Sequence, residues 1–272
     1  MESKRIQFPA VICLYEGTDP ERLDLGEMAD YLSSRLTKTK IELRKDIKAE
    51  FLEALPSQEE EKVKHDLAKR LAQAKVHDIQ KPHQSREPLY GEVEFERKWL
   101  SNQKGKPIGI LYDGFELQKI YFDLLPVRER ELGYLHIVFT GQLFGTFDEA
   151  DKRYHARVST YGFPCVLSSS GLVEAPAKPR EFYLERQMGV DTLELKKKFA
   201  GRFIDYDDSR LTDAMKGYVM QALFYLVLGD PFCNDNRCRL FNAHWQEELI
   251  RAQLSSDYEF CPFHQEVLES MK

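Results

Sequence analysis

Cysteine is scarce in this sequence, and long apolar runs are absent. Only five of the 272 residues are cysteine. The longest apolar stretch, Tyr218 to Leu228, contains Gln221 and falls short of the roughly 20 residues that cross a bilayer. Near the start of the chain, the apolar run from Phe8 to Tyr15 meets Glu16 too early to be the hydrophobic part of a signal peptide. We therefore expect a cytoplasmic protein that does not contact membranes and keeps its thiols reduced.

A surplus of positive charge is also missing. Lysine and arginine number 39 against 45 aspartates and glutamates, which gives a net charge of -6 and a pI near 5.7. Because nucleic-acid-binding proteins usually carry a basic surface, this balance predicts no nucleic-acid partner. With 42% hydrophobic and 31% charged residues, the composition is that of an ordinary globular protein that buries its own core.

The most informative feature is a set of four metal-binding side chains near the end of the sequence. Cys233 and Cys238 are separated by four residues, and Cys261 and His264 by two. Three thiols and one imidazole in two close pairs predict one tetrahedral Zn2+ site. Four protein ligands leave no position for water or substrate, so the zinc is expected to stabilise the structure rather than catalyse a reaction. His244, between the two pairs, is the alternative to His264 as the fourth ligand.

Local sequence suggests where the five cysteines lie. Each ligand pair is expected on a loop, because Asn234 to Asn236 follow Cys233 and Pro262 follows Cys261. The remaining two cysteines, Cys13 and Cys165, stand in strand-like apolar runs and are expected to be small core residues.

Strand-like and helix-like segments alternate along the chain, which predicts an α/β or α+β fold with a mixed sheet. We expect one domain over residues 1–272, ending in a zinc module at residues 230–272. Strands are predicted at 8–15, 41–43, 107–112, 134–140, 155–160 and 165–168, and helices at 23–36, 46–55, 57–76 and 115–125. The third of these helices begins with Ser57 and Glu60 in capping-box spacing. Loops are predicted at 77–88 and 141–150. Residues 168–180, with Pro176 and Pro179, are the nearest thing to a linker and too short to demand a second domain.

A further helix is predicted to deliver the chain directly to the first zinc ligand. Apolar residues recur at helical spacing from Leu211 to Leu226, and Gly229 followed by Pro231 ends the pattern. The N-cap candidates are the polar residues that precede this pattern, namely Asp207, Asp208 and Ser209.

From this helix to the C-terminus, the chain resembles the archaemetzincins, zinc peptidases with the motif HExxHxxGxxHC and further cysteines downstream. Laid without gaps from Cys233 backward, the motif places its glycine on Gly229. The resemblance continues in Cys238, in Phe241-Asn242 and in Phe260-Cys261-Pro262. It implies a zincin-like fold, in which the motif histidines hold a catalytic zinc and the cysteines hold a structural zinc.

The departures from the family pattern concern catalysis. Ala222, Leu226 and Phe232 stand where the family has its metal-binding histidines, and Leu223 stands where it has the general-base glutamate. Hydrocarbon side chains neither bind metal nor move protons, so the sequence lacks the ligands and the general base that the metzincin mechanism requires. His264 takes the place of the family's last cysteine and keeps a zinc-competent set of ligands.

The sequence therefore predicts a protein with one structural zinc and no catalytic site, which binds a peptide or protein in the former substrate groove. Two alternatives stay open. The first is a metal-dependent hydrolase or peptidase with a relocated site around His155 and the acidic residues Asp148, Glu149 and Asp151. The second is a purely structural assembly protein. The sequence leaves the oligomeric state open.

Overall fold

The computed structural model describes residues 8–17, 23–101 and 109–270. Within them, the chain forms a mixed α/β structure with two mixed sheets, which confirms the predicted fold class. The predicted strand at 107–112 lies partly outside the described residues. Among the described helices, none combines the length and the hydropathy that crossing a membrane requires.

The larger sheet has five strands in the order β2-β1-β4-β8-β7. Pairing is parallel between β1 and β2, between β1 and β4 and between β4 and β8, whereas β7 pairs antiparallel with β8 at one edge. The strands are β1 (Val11–Tyr15), β2 (Lys40–Arg44), β4 (Tyr134–Thr140), β7 (Ser159–Thr160) and β8 (Cys165–Ser168). The smaller sheet has the order β3-β5-β6, with strands β3 (Leu111–Asp113), β5 (Leu143–Asp148) and β6 (Arg153–Arg157).

The described helices surround these sheets. They are α1 (Leu25–Ser33), α2 (Ile47–Glu53), α3 (Ser57–Gln73), α4 (Tyr90–Ser101), α5 (Gly114–Leu124), α6 (Ser169–Glu174), α7 (Arg180–Gln187), α8 (Thr192–Lys198), α9 (Leu211–Leu228), α10 (Gln246–Leu254) and α11 (Pro262–Ser270). A short 3-10 helix spans Val127–Glu129.

Both faces of the larger sheet are buried. Ile12 and Leu14 of β1 belong to the core that contains α1 and α9, whereas Cys13 and Tyr15 face the core that contains α3 and α5. Strands covered on both faces read as continuous apolar runs, which is why the sequence pattern located β1, β4 and β8. Cys13 and Cys165 are fully buried, as expected.

Helix α9 is the central element of the first core. Every residue from Leu211 to Phe224 except Asp213 is buried, and Gly229 ends the helix with a left-handed φ of 79°. The predicted C-terminal glycine cap is thus confirmed. The predicted N-cap is wrong, because Arg210 precedes the helix and no side chain caps it. Asp208 instead binds the Arg210 side chain, with Oδ2 2.7 Å from Nη2.

Several local predictions differ from the structure. The residues predicted as a loop at 141–150 contain strand β5, and the linker-like segment 168–180 contains helix α6. The capping box at Ser57 is also wrong, because Pro56 is the N-cap and Ser57 is already helical. The helices at 90–101, 180–187 and 192–198 were not predicted, and their sequences are rich in charged residues with few apolar positions.

Candidate metal centre

The four predicted ligands come from two segments that follow α9. Cys233 and Cys238 lie on the loop directly after the helix, where the Cys233 amide donates to the Leu240 carbonyl at 3.0 Å. Cys261 immediately precedes α11, and His264 lies in the first turn of that helix. The expectation that both pairs occupy loops is therefore wrong for His264. Pro262 is the first helical residue, a position where its missing N–H costs nothing.

The structure brings the four ligand atoms together. All lie within 4.8 Å of one another, and the group contains His264 rather than His244. Cys233 Sγ is 3.8 Å from Cys261 Sγ, and His264 Nδ1 is 3.8 Å from Cys238 Sγ and 3.1 Å from Cys261 Sγ. Zn–S bonds of about 2.3 Å at tetrahedral angles separate two sulfurs by about 3.8 Å. The donor set and the spacing therefore fit a zinc ion, and this cluster could hold one.

Backbone amides also point at the sulfurs. The Asp235 amide donates to Cys233 Sγ at 3.4 Å, and the Cys261 amide donates to Cys238 Sγ at 3.5 Å. Such bonds favour the thiolate form and fix the orientation of the ligand, as outer-shell contacts do at metal sites. Nearby, the Arg239 amide donates to the Glu259 carbonyl at 2.8 Å and ties the two ligand segments together.

The cluster is largely shielded from water. Cys238, Cys261 and His264 are buried, and Cys233 is half-buried. Burial raises the pKa of the Cys238 thiol to about 12, raises the pKa of Cys233 and lowers the pKa of His264. Without a metal, the neutral thiols of Cys233 and Cys238 and the neutral ring of His264 are therefore favoured at neutral pH. Cysteines bind a divalent cation as thiolates, so binding would release the thiol protons.

The four positions that hold the catalytic residues in the archaemetzincin motif carry apolar side chains in this chain. Ala222 and Leu223 are fully buried in the core around α9. Leu226 packs partly buried against that core, and Phe232 is exposed. Within the described residues, no metal-binding group includes any of these four positions.

An aromatic cluster lies beside this part of α9. The Tyr161 ring stands 5.8 Å from Tyr225 and 5.9 Å from Phe232, centroid to centroid. Its hydroxyl donates to Gln221 Oε1 at 2.5 Å, and Gln221 Nε2 donates to the Phe241 carbonyl at 3.3 Å. Sequence reasoning missed this contact, although Gln221 as a single amide within an apolar helix segment was a signal for it.

A groove of about 310 Å3 opens next to the aromatic cluster. One side is formed by strands β5 and β6 and the start of edge strand β7, and the other by the loop after the first ligand pair. Its lining residues are Thr146, Ala156, Arg157, Val158, Ser159, Tyr161, Ala175, Pro176, Tyr218, Phe232, Asn242, Ala243 and His244. We call this space the β7 groove.

The ligand loop forms one wall of the β7 groove. Phe232 directly precedes Cys233, and Asn242 directly follows Phe241, which bridges to Cys233. The Ala177 amide donates to the His244 carbonyl at 2.8 Å and joins that wall to the segment after α6. The metal cluster and the groove therefore share one stretch of backbone.

Two other clusters of metal-binding side chains occur in the described residues. Asp148, Asp151 and His155 place their ligand atoms within 4.8 Å of one another, and His155 Nε2 is 2.8 Å from Asp151 Oδ2. Glu149 instead pairs with Lys152. Cys13, Glu129 and His136 form the other group, but Arg44 Nη1 already donates a hydrogen bond to Glu129 Oε2 at 2.7 Å.

His136 is a core residue, and both of its ring nitrogens have polar neighbours. Its Nε2 lies 3.0 Å from the Glu129 carbonyl and its Nδ1 3.3 Å from the Tyr15 hydroxyl. Burial lowers the pKa of His136, so the neutral ring is favoured.

Comparisons with known proteins place the chain in a family. No curated protein matches it. Among solved structures, the archaemetzincin of Methanopyrus kandleri aligns with 100% of this chain and 98% of its own length, at 14% identity and a TM-score of 0.39. A likeness this distant assigns no role to individual residues. The model of a probable metallopeptidase family matches residues 9–271. The chain therefore belongs to the probable metallopeptidase family DUF6775.

Proposed function

We propose that this member of the family binds one structural zinc through Cys233, Cys238, Cys261 and His264, lacks peptidase activity, and holds an extended peptide in the β7 groove. The proposal rests on the contrast between the motif positions on α9, which hold no metal ligand, and the segments after α9, which hold four. A complete set of four metal ligands lies just past the end of α9. The motif positions on the helix itself are hydrocarbon, and two of them are fully buried.

The zinc assignment follows from the ligand count. Peptide hydrolysis by zinc needs an open coordination position for water, whereas three thiolates and one imidazole fill a tetrahedral site. With three thiolates the occupied site would carry a net charge of -1. Its role would be to fix the chain between α9 and α11, which includes one wall of the β7 groove.

The absence of peptidase activity follows from the chemistry of the buried positions. A zinc peptidase polarises the substrate carbonyl with its metal, and a carboxylate takes a proton from the attacking water. Ala222 and Leu223 offer neither a ligand nor a base, and their side chains contact the core rather than solvent.

Peptide binding is supported by the edge position of β7. Ser159 and Thr160 pair with β8 on one side only, and the sheet ends there. An extended peptide can add to such an edge through main-chain hydrogen bonds while neighbouring pockets select its side chains. The groove beside this edge offers aromatic rings from Tyr218 and Phe232.

A combined assay tests the proposal. Purified protein is incubated with fluorogenic unstructured peptides, with and without zinc and chelator, and binding of labelled extended peptides is followed by fluorescence anisotropy. We expect binding without cleavage. Cleavage that follows the purified protein, requires zinc and stops with chelator would contradict the proposal.

Two variants make the binding assay specific. Ser159→Trp places a large side chain in the groove and should abolish peptide binding, whereas Ser101→Trp, on the exposed end of α4, should not. Chelation should lower peptide affinity together with zinc content, because the metal holds one groove wall. Binding that ignores both Ser159→Trp and chelation would place the peptide elsewhere.

A hydrolase with a relocated site is the second candidate, and the convergence of Asp148, Asp151 and His155 favours it. Against it, Asp148 Oδ1 accepts the amides of Ala150 at 2.8 Å and Asp151 at 3.3 Å and so is engaged in a turn. Metal analysis separates the candidates: one zinc per chain fits a structural ion alone, and a second ion lost on Asp151→Asn would support the relocated site. A purely structural assembly protein would bind the single zinc and no peptide.

A further inference from the structure

The charges that line the β7 groove differ from those of the whole chain. The protein carries 45 acidic residues and a net charge of -6, yet the groove lining contains no aspartate or glutamate among the described residues. Arg157 and His244 are its ionisable side chains apart from tyrosine. A groove with a guanidinium and without carboxylates attracts anions, because low-dielectric walls concentrate the field of its charge.

Arg157 has no carboxylate partner. Its Nε donates to Thr146 Oγ1 at 2.9 Å, and no acidic oxygen of the described residues lies within the 4.0 Å of an ion pair. The arginines of two other clefts do pair with carboxylates, Arg70 with Asp123 and Arg35 with Glu259. An ionised side chain that is half-buried, oriented by a hydrogen bond and unpaired is suited to bind a carboxylate.

Carboxylates close in sequence to the groove residues are engaged elsewhere. Glu174 Oε1 accepts the Tyr206 hydroxyl at 3.0 Å, and Asp148 Oδ1 accepts the amides of Ala150 and Asp151. Two others face the backbone. Asp230 Oδ1 accepts the Phe232 amide at 2.9 Å, and Glu248 Oε2 accepts the amides of His244 at 2.9 Å and Trp245 at 3.1 Å. These contacts hold both acids in local turns. Neither acid belongs to the groove lining.

We propose that the β7 groove selects acidic peptides: an extended segment lies along edge strand β7, one of its carboxylates binds the Arg157 guanidinium, and a neighbouring apolar side chain packs on Tyr218 and Phe232. This inference builds on the proposed function and adds the charge of the ligand. The carboxylate is that of an aspartate or glutamate side chain or of a peptide C-terminus, and both share the fork geometry that arginine recognises.

Three labelled peptides with the same apolar core and flanking Glu, Gln or Lys residues test the inference by fluorescence anisotropy on the full chain. The wild type should bind the Glu peptide about tenfold more tightly than the Gln peptide, and the Lys peptide most weakly, because a hydrogen bond between a guanidinium and a carboxylate is stronger than one to a neutral amide. The preference should shrink as salt concentration rises. A fourth peptide, with Gln flanks and a free instead of an amidated C-terminus, separates the two sources of the carboxylate.

Arg157→Gln should remove the preference, so that the Glu and Gln peptides bind the variant with equal affinity. Arg153→Gln is the matched control, because Arg153 lies on the same strand, is exposed and does not line the groove. Thr146→Val tests whether loss of the Arg157 hydrogen bond alone explains the effect; it should keep a preference for the Glu peptide.

The outcomes separate the two proposals. If the wild type binds no peptide, the proposed function itself fails. If it binds Glu, Gln and Lys peptides equally, or if Arg153→Gln reduces the preference as much as Arg157→Gln does, peptide binding stands and the acidic selection is overturned. Full displacement of the Glu peptide by millimolar inorganic phosphate, with no displacement by the Gln peptide, would reduce the groove to a general anion site and also overturn the inference.

Discussion

Replacing Cys238 with serine tests the metal centre most sharply among single substitutions. Cys238 is fully buried, its sulfur lies 3.8 Å from His264 Nδ1, and it accepts the Cys261 amide. Serine is a poor zinc ligand, so Cys238→Ser should leave three ligands and weaken zinc binding. The wild type should contain one zinc per chain and the variant little or none.

The size of the effect follows from ligand linkage. Free zinc at 1,000 times its Kd stabilises the folded state by about 4.1 kcal/mol relative to the metal-free protein. For domains of about 150–250 residues, each kcal/mol changes Tm by about 2–4 °C. Chelator should therefore lower the Tm of the wild type by about 8–16 °C. The Cys238→Ser variant should melt near the chelated wild type and respond little to chelator.

The assay is differential scanning fluorimetry paired with elemental analysis of the same samples. Cys165→Ser is the matched control, because Cys165 is equally buried but lies in β8, where its thiol lies 3.3 Å from the Gly162 carbonyl. That variant should keep one zinc and the full response to chelator. A Cys238→Ser protein with wild-type zinc content and an unchanged response to chelator would refute the assignment.

Three further substitutions test the core, the end of α9 and an ion pair on strand β2. Leu223→Ala should destabilise the fold by about 2–5 kcal/mol in chemical denaturation without lowering zinc content, because Leu223 is fully buried in the core; a large loss of zinc or negligible destabilisation would contradict this. Gly229→Ala should cost about 1 kcal/mol in the same measurement because φ is 79° there, whereas Gly91→Ala in α4 should be neutral or stabilising; equal effects would count against the left-handed cap. The pKa of Glu42 is lowered to about 2 from an ordinary 4.5, chiefly by its hydrogen bond from Lys40. The contribution of Glu42 to stability is therefore present above pH 4.5 and lost as pH falls towards 2. Glu42→Gln should remove that part of the acid dependence, and identical acid melting curves for variant and wild type would argue against the contact.

The sequence predicted those features that leave a strong local pattern. Strands β4 and β8 were predicted with their observed bounds, because strands buried on both faces are short and continuously apolar. The end of α9 was predicted because a left-handed residue after a helix strongly favours glycine, as Gly229 illustrates. The convergence of the four metal ligands was predicted because two ligands a few residues apart can point at the same ion. Two such pairs complete a tetrahedral set.

Features set by tertiary contacts escaped prediction. Strand β5 was read as a loop because Gly145 interrupts it, yet that glycine is required where the neighbouring strand approaches: a Cβ would lie 2.6 Å from the His155 carbonyl oxygen. Helices α4, α7 and α8 carry many charged residues, so their apolar pattern is weak. The β7 groove joins Arg157 to residues more than 80 positions away, and no local pattern marks such a contact.

The central claim, one closed metal site and no catalytic one, is tested most directly by a crystal structure with anomalous diffraction data recorded on both sides of the zinc absorption edge. The account predicts one zinc peak per chain, within bonding distance of Cys233, Cys238, Cys261 and His264. It also predicts no peak beside Ala222 and Leu226. A peak beside that part of α9, or no peak among the four ligands in zinc-loaded protein, would contradict it.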